Sequence, residues 1–249
     1  MEPLRNPQKD FQKNGSPSFW FFLLVALGIG GFFLSPFLIL HAPSEKTMGL
    51  IQKIFYFHVS CAWITMLSAL ICGLSSVFFL FRNTETADRI AVASAELVVL
   101  FGLCVLVTGP LWAKKAWGTY WQWDVRLTTT LLLWLIFVIY LFCRRYAGPD
   151  GKKLGAGLAI FGMVDVPLIY ISVSFWRTIH PKTSVVSTLD PAMKIAFWSS
   201  MVSFSFLFFV LLSLRIRLQQ LKVKNRDLCI AMDEEGITNE FWEDSYENS

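Results

Sequence analysis

The sequence is short of charge. Only 16% of its 249 residues are Asp, Glu, Lys or Arg, against 55% hydrophobic, and the mean hydropathy is +0.52. A soluble domain could not clothe its surface with so few charges, which places the chain in the membrane class. At about 20 residues per crossing there is room for six spans, and too little remains for a soluble catalytic domain. The five cysteines, Cys61, Cys72, Cys104, Cys143 and Cys229, contain no C-x-x-C pair. Four lie in or beside apolar runs, so they read as small buried hydrophobes and not as a disulfide or metal framework. No G-x-x-x-x-G-K-[ST] occurs, which removes a P-loop ATPase. No internal repeat is visible either, and with it go the paired broken helices typical of solute permeases.

What is present is a succession of apolar runs. Residues 1–18 are polar, with Arg5, Lys9 and Lys13. Phe19–Leu40 is longer than a signal-peptide core and has no small-residue cleavage site after it, so it is expected to be an uncleaved first span. His41–Lys53 is expected to form a short helix lying at the interface, with Ser44 as a cap. Further spans are expected at about Ile54–Phe81, Ile90–Leu111, Leu127–Cys143, Leu154–Trp176 (kinked at Pro167) and Ala192–Leu214. The fold class is therefore all-α and polytopic. It comprises a segment 1–18, a six-helix domain 19–214 with a tryptophan-rich loop at 112–126, and a polar tail 215–249 whose end is too acidic to order itself.

Lys and Arg set the orientation. Fourteen fall in the segments on the N-terminal side and eight in the three opposite loops. The positive-inside rule puts both termini in the cytoplasm and the tryptophan-rich loop outside. Topology thus accounts for the net charge of +4, and no nucleic-acid partner is implied.

The outer side gathers the chemistry. Four of ten tryptophans, Trp112, Trp117, Trp121 and Trp123, lie within twelve residues, with Gly118, Thr119, Tyr120 and Asp124 among them. An interfacial aromatic belt needs only one or two such residues per helix end, so a large flat ligand explains the cluster better. The chain has three histidines, His41, His58 and His180, and all map to this side. His58 lies about 6 Å inside the second span, at 1.5 Å per residue from Ile54. Singly, each is readily explained as an interfacial polar group. Together, beside an aromatic loop, they suit haem: imidazoles from two elements for the iron, indoles for the porphyrin face, cations for the propionates. Lys114, Lys115, Arg126 and Arg177 stand at that level, the two lysines equally suited to lipid headgroups. Three histidines cannot serve a dihaem membrane cytochrome, which needs four.

The run Trp117-Gly118-Thr119-Tyr120-Trp121-Gln122-Trp123-Asp124-Val125-Arg126-Leu127-Thr128 resembles the tryptophan-rich (WWD) signature of bacterial haem-handling membrane proteins. In particular it is similar to the cytochrome c maturation haem exporter protein C family. Tyr56-Phe57-His58-Val59, Val107-Thr108-Gly109, Trp176-Arg177-Thr178-Ile179-His180 and Ser187-Thr188-Leu189-Asp190-Pro191-Ala192-Met193 match as well, so the resemblance spans about residues 45–214.

The resemblance implies a multi-pass protein of the bacterial inner membrane in c-type cytochrome biogenesis. It would bind haem b non-covalently, in transit, at the outer face. From there it would present haem for covalent loading onto a periplasmic haem chaperone (maturation protein E). ABC transporter subunits (maturation proteins A and B), a small single-span protein (maturation protein D) and membrane lipid are the other implied partners. The protein would be a transfer factor without an ATPase of its own. His58 and His180 become the expected axial ligands, and Pro43 with its polar turn counts against His41. Trp117, Tyr120, Trp121 and Trp123 would face the porphyrin. Asp124 and Arg126 would hold the loop, or Arg126 a propionate.

Tyr120 departs from the family pattern, standing where tryptophan is common. Asp165 stands where a neutral polar residue is usual, and Glu96 is a second acid within an apolar run. Both acids are expected to be structural, paired with each other or with backbone. The rival readings are a permease subunit moving haem or another solute and the related cytochrome c synthetases, which need spans and histidines this chain lacks.

Overall fold

The computed structural model describes residues 19–176, 178–181 and 183–234. The segment 1–18, Arg177, Lys182 and the acidic stretch from 235 onward lie outside the described residues. Among the described residues six α-helices follow one another: α1 (Phe19–His41), α2 (Ile54–Arg82), α3 (Glu85–Trp117), α4 (Val125–Tyr146), α5 (Gly151–Phe175) and α6 (Pro191–Glu234). Each is long and apolar enough to cross a membrane. In lipid the backbone must satisfy its own polar groups, which continuous helices do except where Pro36, Pro110 and Pro167, inside α1, α3 and α5, each withhold one N–H from the ladder. This is a multi-pass membrane protein.

Short loops make chain neighbours pack side by side: α2 on α3 and α4 on α5. Helix α5 also lies along α2, and α6 closes the bundle against α1, α2 and α3. The centre is filled by Ala69, Cys72, Ala95, Val98, Leu133, Phe137 and Ala159. Small residues let the helices approach, and hydrogen bonds cross between them. Ser60 Oγ meets Ser200 Oγ at 3.0 Å, Cys72 Sγ donates to Ala91 O at 3.1 Å, and Trp134 Nε1 donates to Val99 O at 3.0 Å. Ion pairs gather at one end of the bundle, where Arg144 meets Asp88 at 2.7 Å and Lys152 meets Glu85 at 2.6 Å.

Four details differ from expectation. Helix α3 runs on through Trp112 to Trp117, so the true loop is only Gly118–Asp124. It stops where Gly118 adopts φ 77° and donates its N–H to Lys114 O, a left-handed cap that glycine takes without strain. Residues 42–49 form no helix. There the Glu45 carboxylate takes the N–H groups of Thr47 and Met48, and only Leu50–Lys53 coils, as a 3-10 turn. Helix α6 continues some 20 residues past Leu214 to Glu234, because 215–234 holds neither Gly nor Pro. Glu96 and Asp165 are not partners: Glu96 binds Arg215 at 2.6 Å and Gln219 at 3.3 Å, while Asp165 Oδ2 is buried without a hydrogen bond.

Candidate functional site

At the end of the bundle away from the ion pairs, the helices splay around a cavity of about 530 Å³, within the range of cofactor sites. The first turns of α2 and α4, the last turns of α3 and α5, the start of α6 and the 180–186 loop form its wall. The lining is overwhelmingly apolar. Thr65, Met66, Leu133 and Ile169 make its floor, above the packed centre.

His58 and His180 both stand in this wall, one from a helix and one from a loop 122 positions later. Their hydrogen bonds fix their tautomers. His180 Nδ1 lies 2.9 Å from Pro181 O; a carbonyl can only accept, so Nδ1 carries the proton. His58 Nδ1 lies 2.9 Å from Thr108 Oγ1, whose own proton goes to Cys104 O at 2.7 Å. The hydroxyl has no second proton, so His58 Nδ1 must donate as well. Both rings are thus left with a bare Nε2, the form in which imidazole binds a metal. Burial, with the nearby Arg126 cation, pushes His180 down to about 4 against the opposing pull of Pro181 O and Asp124. It is neutral at physiological pH. The room for the His58 ring comes from Gly109, where a Cβ would sit 3.2 Å from His58 Cε1.

The tryptophan-rich segment divides in two. Trp112, Trp117 and Trp121 line the cavity, with Trp112 and Trp117 edge-to-face at 5.5 Å between centroids. Tyr120 and Trp123 do not; they are 56% and 77% exposed, Trp123 packing its ring edge-to-face on Trp121 at 5.8 Å. Gly118 is the turn. Asp124 caps α4, taking the Leu127 N–H on Oδ1 at 2.8 Å. Its other oxygen accepts from the Thr178 hydroxyl, and Thr178 Oγ1 accepts the His180 N–H at 3.1 Å. Asp124 therefore clasps the aromatic loop to the strand of chain that carries His180.

Arg126 lines the cavity and its Nη1 has no hydrogen-bond partner; Nε1 of Trp112 and of Trp121 are in the same condition. Three orphaned buried donors around one chamber fit a ligand bearing acceptor groups. Lys114 is turned back onto the loop, donating to Gly118 O at 3.0 Å and lying over the Tyr120 ring. His41 is outside the wall, its Nδ1 2.8 Å from Phe37 O. Among the described residues no three His, Cys, Asp or Glu side chains converge to hold a bare metal ion. Two imidazoles lining one chamber suit a metal that arrives with its equatorial positions filled, and the apolar walls suit a macrocycle. Haem fits these residues.

Thr108 and Thr178 stand within the family-like stretches with no role legible there, and Trp112 likewise has none. Both threonines act across 50 or more positions, so no local pattern could have revealed them.

Comparison with known proteins gives a consistent result. Residues 2–231 match the family model described as Heme exporter protein C. The Heme exporter protein C of Bradyrhizobium diazoefficiens is 32% identical over 193 residues, covering 75% of this chain and 73% of that protein. That of Escherichia coli (strain K12) is 32% identical over 185 residues, 73% of each. A putative cytochrome c biosynthesis ccmC-like mitochondrial protein of Marchantia polymorpha is 35% identical over 176 residues, covering 68% of this chain and 75% of that protein.

Proposed function

Because the chain belongs to the Heme exporter protein C family, we propose that it binds haem b non-covalently in this cavity. From there, at the outer face of the bacterial inner membrane, it presents haem for covalent loading onto a periplasmic haem chaperone, maturation protein E. The observation that carries the reading is the pair of imidazoles, from separate elements of one apolar chamber, each locked with Nε2 bare.

In this account His58 and His180 would hold the iron through their bare Nε2 atoms. Trp117 and Trp121 would lie against the macrocycle, and Arg126, whose Nη1 lacks a partner, would receive a propionate. Gly118 and Asp124 shape the loop. Tyr120 and Trp123, outside the cavity yet joined to its aromatic wall, are the rings a partner meets first. The bound haem brings the vinyl group that becomes attached to the chaperone; the protein supplies orientation and a dry wall. The ABC transporter subunits A and B and the single-span protein D act with it in the same maturation system. A permease reading is less favoured, because the packed centre of the bundle closes the chamber at its floor.

Co-purification with the periplasmic chaperone tests this. Association should require haem, should weaken in Trp123→Ala while haem stays bound, and should vanish in Trp121→Ala together with haem. Association independent of both haem and these side chains would reject the shared docking site.

A further inference from the structure

The two imidazoles are held differently. His180 leans on a main-chain carbonyl, that of Pro181, which no side-chain change can remove. His58 depends on a single hydroxyl from another helix, that of Thr108. We propose that Thr108 is a positioning residue for iron ligation, fixing the tautomer and orientation of His58 so that Nε2 faces the cavity. The proposal rests on the haem reading above.

The geometry is specific to this residue. The hydroxyl lies 2.7 Å from Cys104 O, one helical turn earlier, which commits its only proton and aims a lone pair across the helix gap. That lone pair meets His58 Nδ1 at 2.9 Å. Gly109, the next residue along α3, leaves just enough space for the imidazole edge, so ring and hydroxyl are placed by consecutive positions of one helix. Without the oxygen, Nδ1–H would lose its acceptor in an apolar wall. The ring would then move its proton to Nε2 or turn to find another acceptor, and either change withdraws the lone pair from the cavity. His180 would be unaffected. The expected defect is therefore one-sided: loss of one axial ligand, with haem still held by the other.

The experiment uses the full chain, purified in detergent and supplied with ferric haem. Haem stoichiometry and spin state are read by absorption and electron paramagnetic resonance for wild type, Thr108→Val, Thr108→Ser and His58→Ala. The valine variant should shift from six-coordinate low-spin to predominantly five-coordinate high-spin haem, matching His58→Ala. The serine variant, which keeps the hydroxyl, should retain the wild-type spectrum. Should valine fail to fold, Thr108→Ala carries the same comparison with no added bulk. A valine or alanine variant with the wild-type low-spin spectrum overturns the proposal, as does a serine variant as defective as valine. Wild-type protein that takes up no haem overturns the haem reading itself, a separate outcome visible before any variant is made.

Discussion

Thr178→Val is a near-isosteric change that removes one oxygen, and the structure says what that oxygen holds. It donates to the Asp124 carboxylate and accepts the His180 N–H at 3.1 Å. A hydrogen bond to a charged group contributes about 1.5–3 kcal/mol and a neutral one about 0.5–1.5 kcal/mol. The clasp is only part-buried, which favours the lower half of each range, so closing the His180 loop should lose about 2–3 kcal/mol. If haem binds only the closed loop, apparent affinity falls with the closed population. The ceiling is then roughly 30- to 150-fold, and part of it is absorbed if the wild-type loop is closed with energy to spare. We expect the haem dissociation constant, titrated into haem-free protein, to rise about tenfold or more, with faster amide exchange over residues 178–180. Asp124→Asn should be milder, since asparagine caps a helix as well as aspartate does. In the double variant the two losses should overlap and not add, because one bond links the pair. A Thr178→Val protein within twofold of wild-type affinity, with unchanged exchange at His180, would refute the clasp.

Protonation gives another prediction. His180 titrates lower in the folded protein, about 4 against an ordinary 6.5, so between those values the unfolded chain binds the extra proton and folding opposes it. Stability of the haem-free protein should be intact above pH 6.5 and fall towards pH 4, by at most on the order of 3 kcal/mol from this group. His180→Gln should flatten that part of a thermal-melt profile against pH. Gly109→Val places branched carbon where a Cβ alone reaches 3.2 Å from His58 Cε1, so haem content should drop severely while the protein still purifies as a monodisperse species. Glu96→Gln breaks a 2.6 Å ion pair that is only partly screened and should cost about 1–2 kcal/mol. Its thermal midpoint should fall with no change in the haem spectrum.

The six spans were legible because each is an apolar run bounded by charge, and lipid allows such a run one structure. Helix ends were harder to place. Trp112–Trp117 looked like loop because tryptophan gathers at interfaces, yet the helix persists until Gly118, where backbone geometry and not hydropathy ends it. Residues 215–234 looked like tail because they are polar, but nothing in them breaks a helix that the span has already nucleated. Glu96 and Asp165 invited pairing as the two acids in apolar runs. A carboxylate seeks a cation, however, and Arg215 lay just past the expected end of the last span. At the site, His58, His180, Trp117, Trp121 and Arg126 converge on one chamber, while Tyr120 and Trp123 face away from it. Sequence order does not encode which side of a loop a ring takes. Thr108 and Thr178 were invisible for the same reason: their partners are side chains from other elements.

The central claim is that one haem sits between His58 and His180. Purified wild-type protein should show a six-coordinate low-spin b-type spectrum with about one haem per chain, and His58→Ala and His180→Ala should each abolish that spectrum while preserving the fold. An unchanged low-spin spectrum and full occupancy in either variant would contradict it.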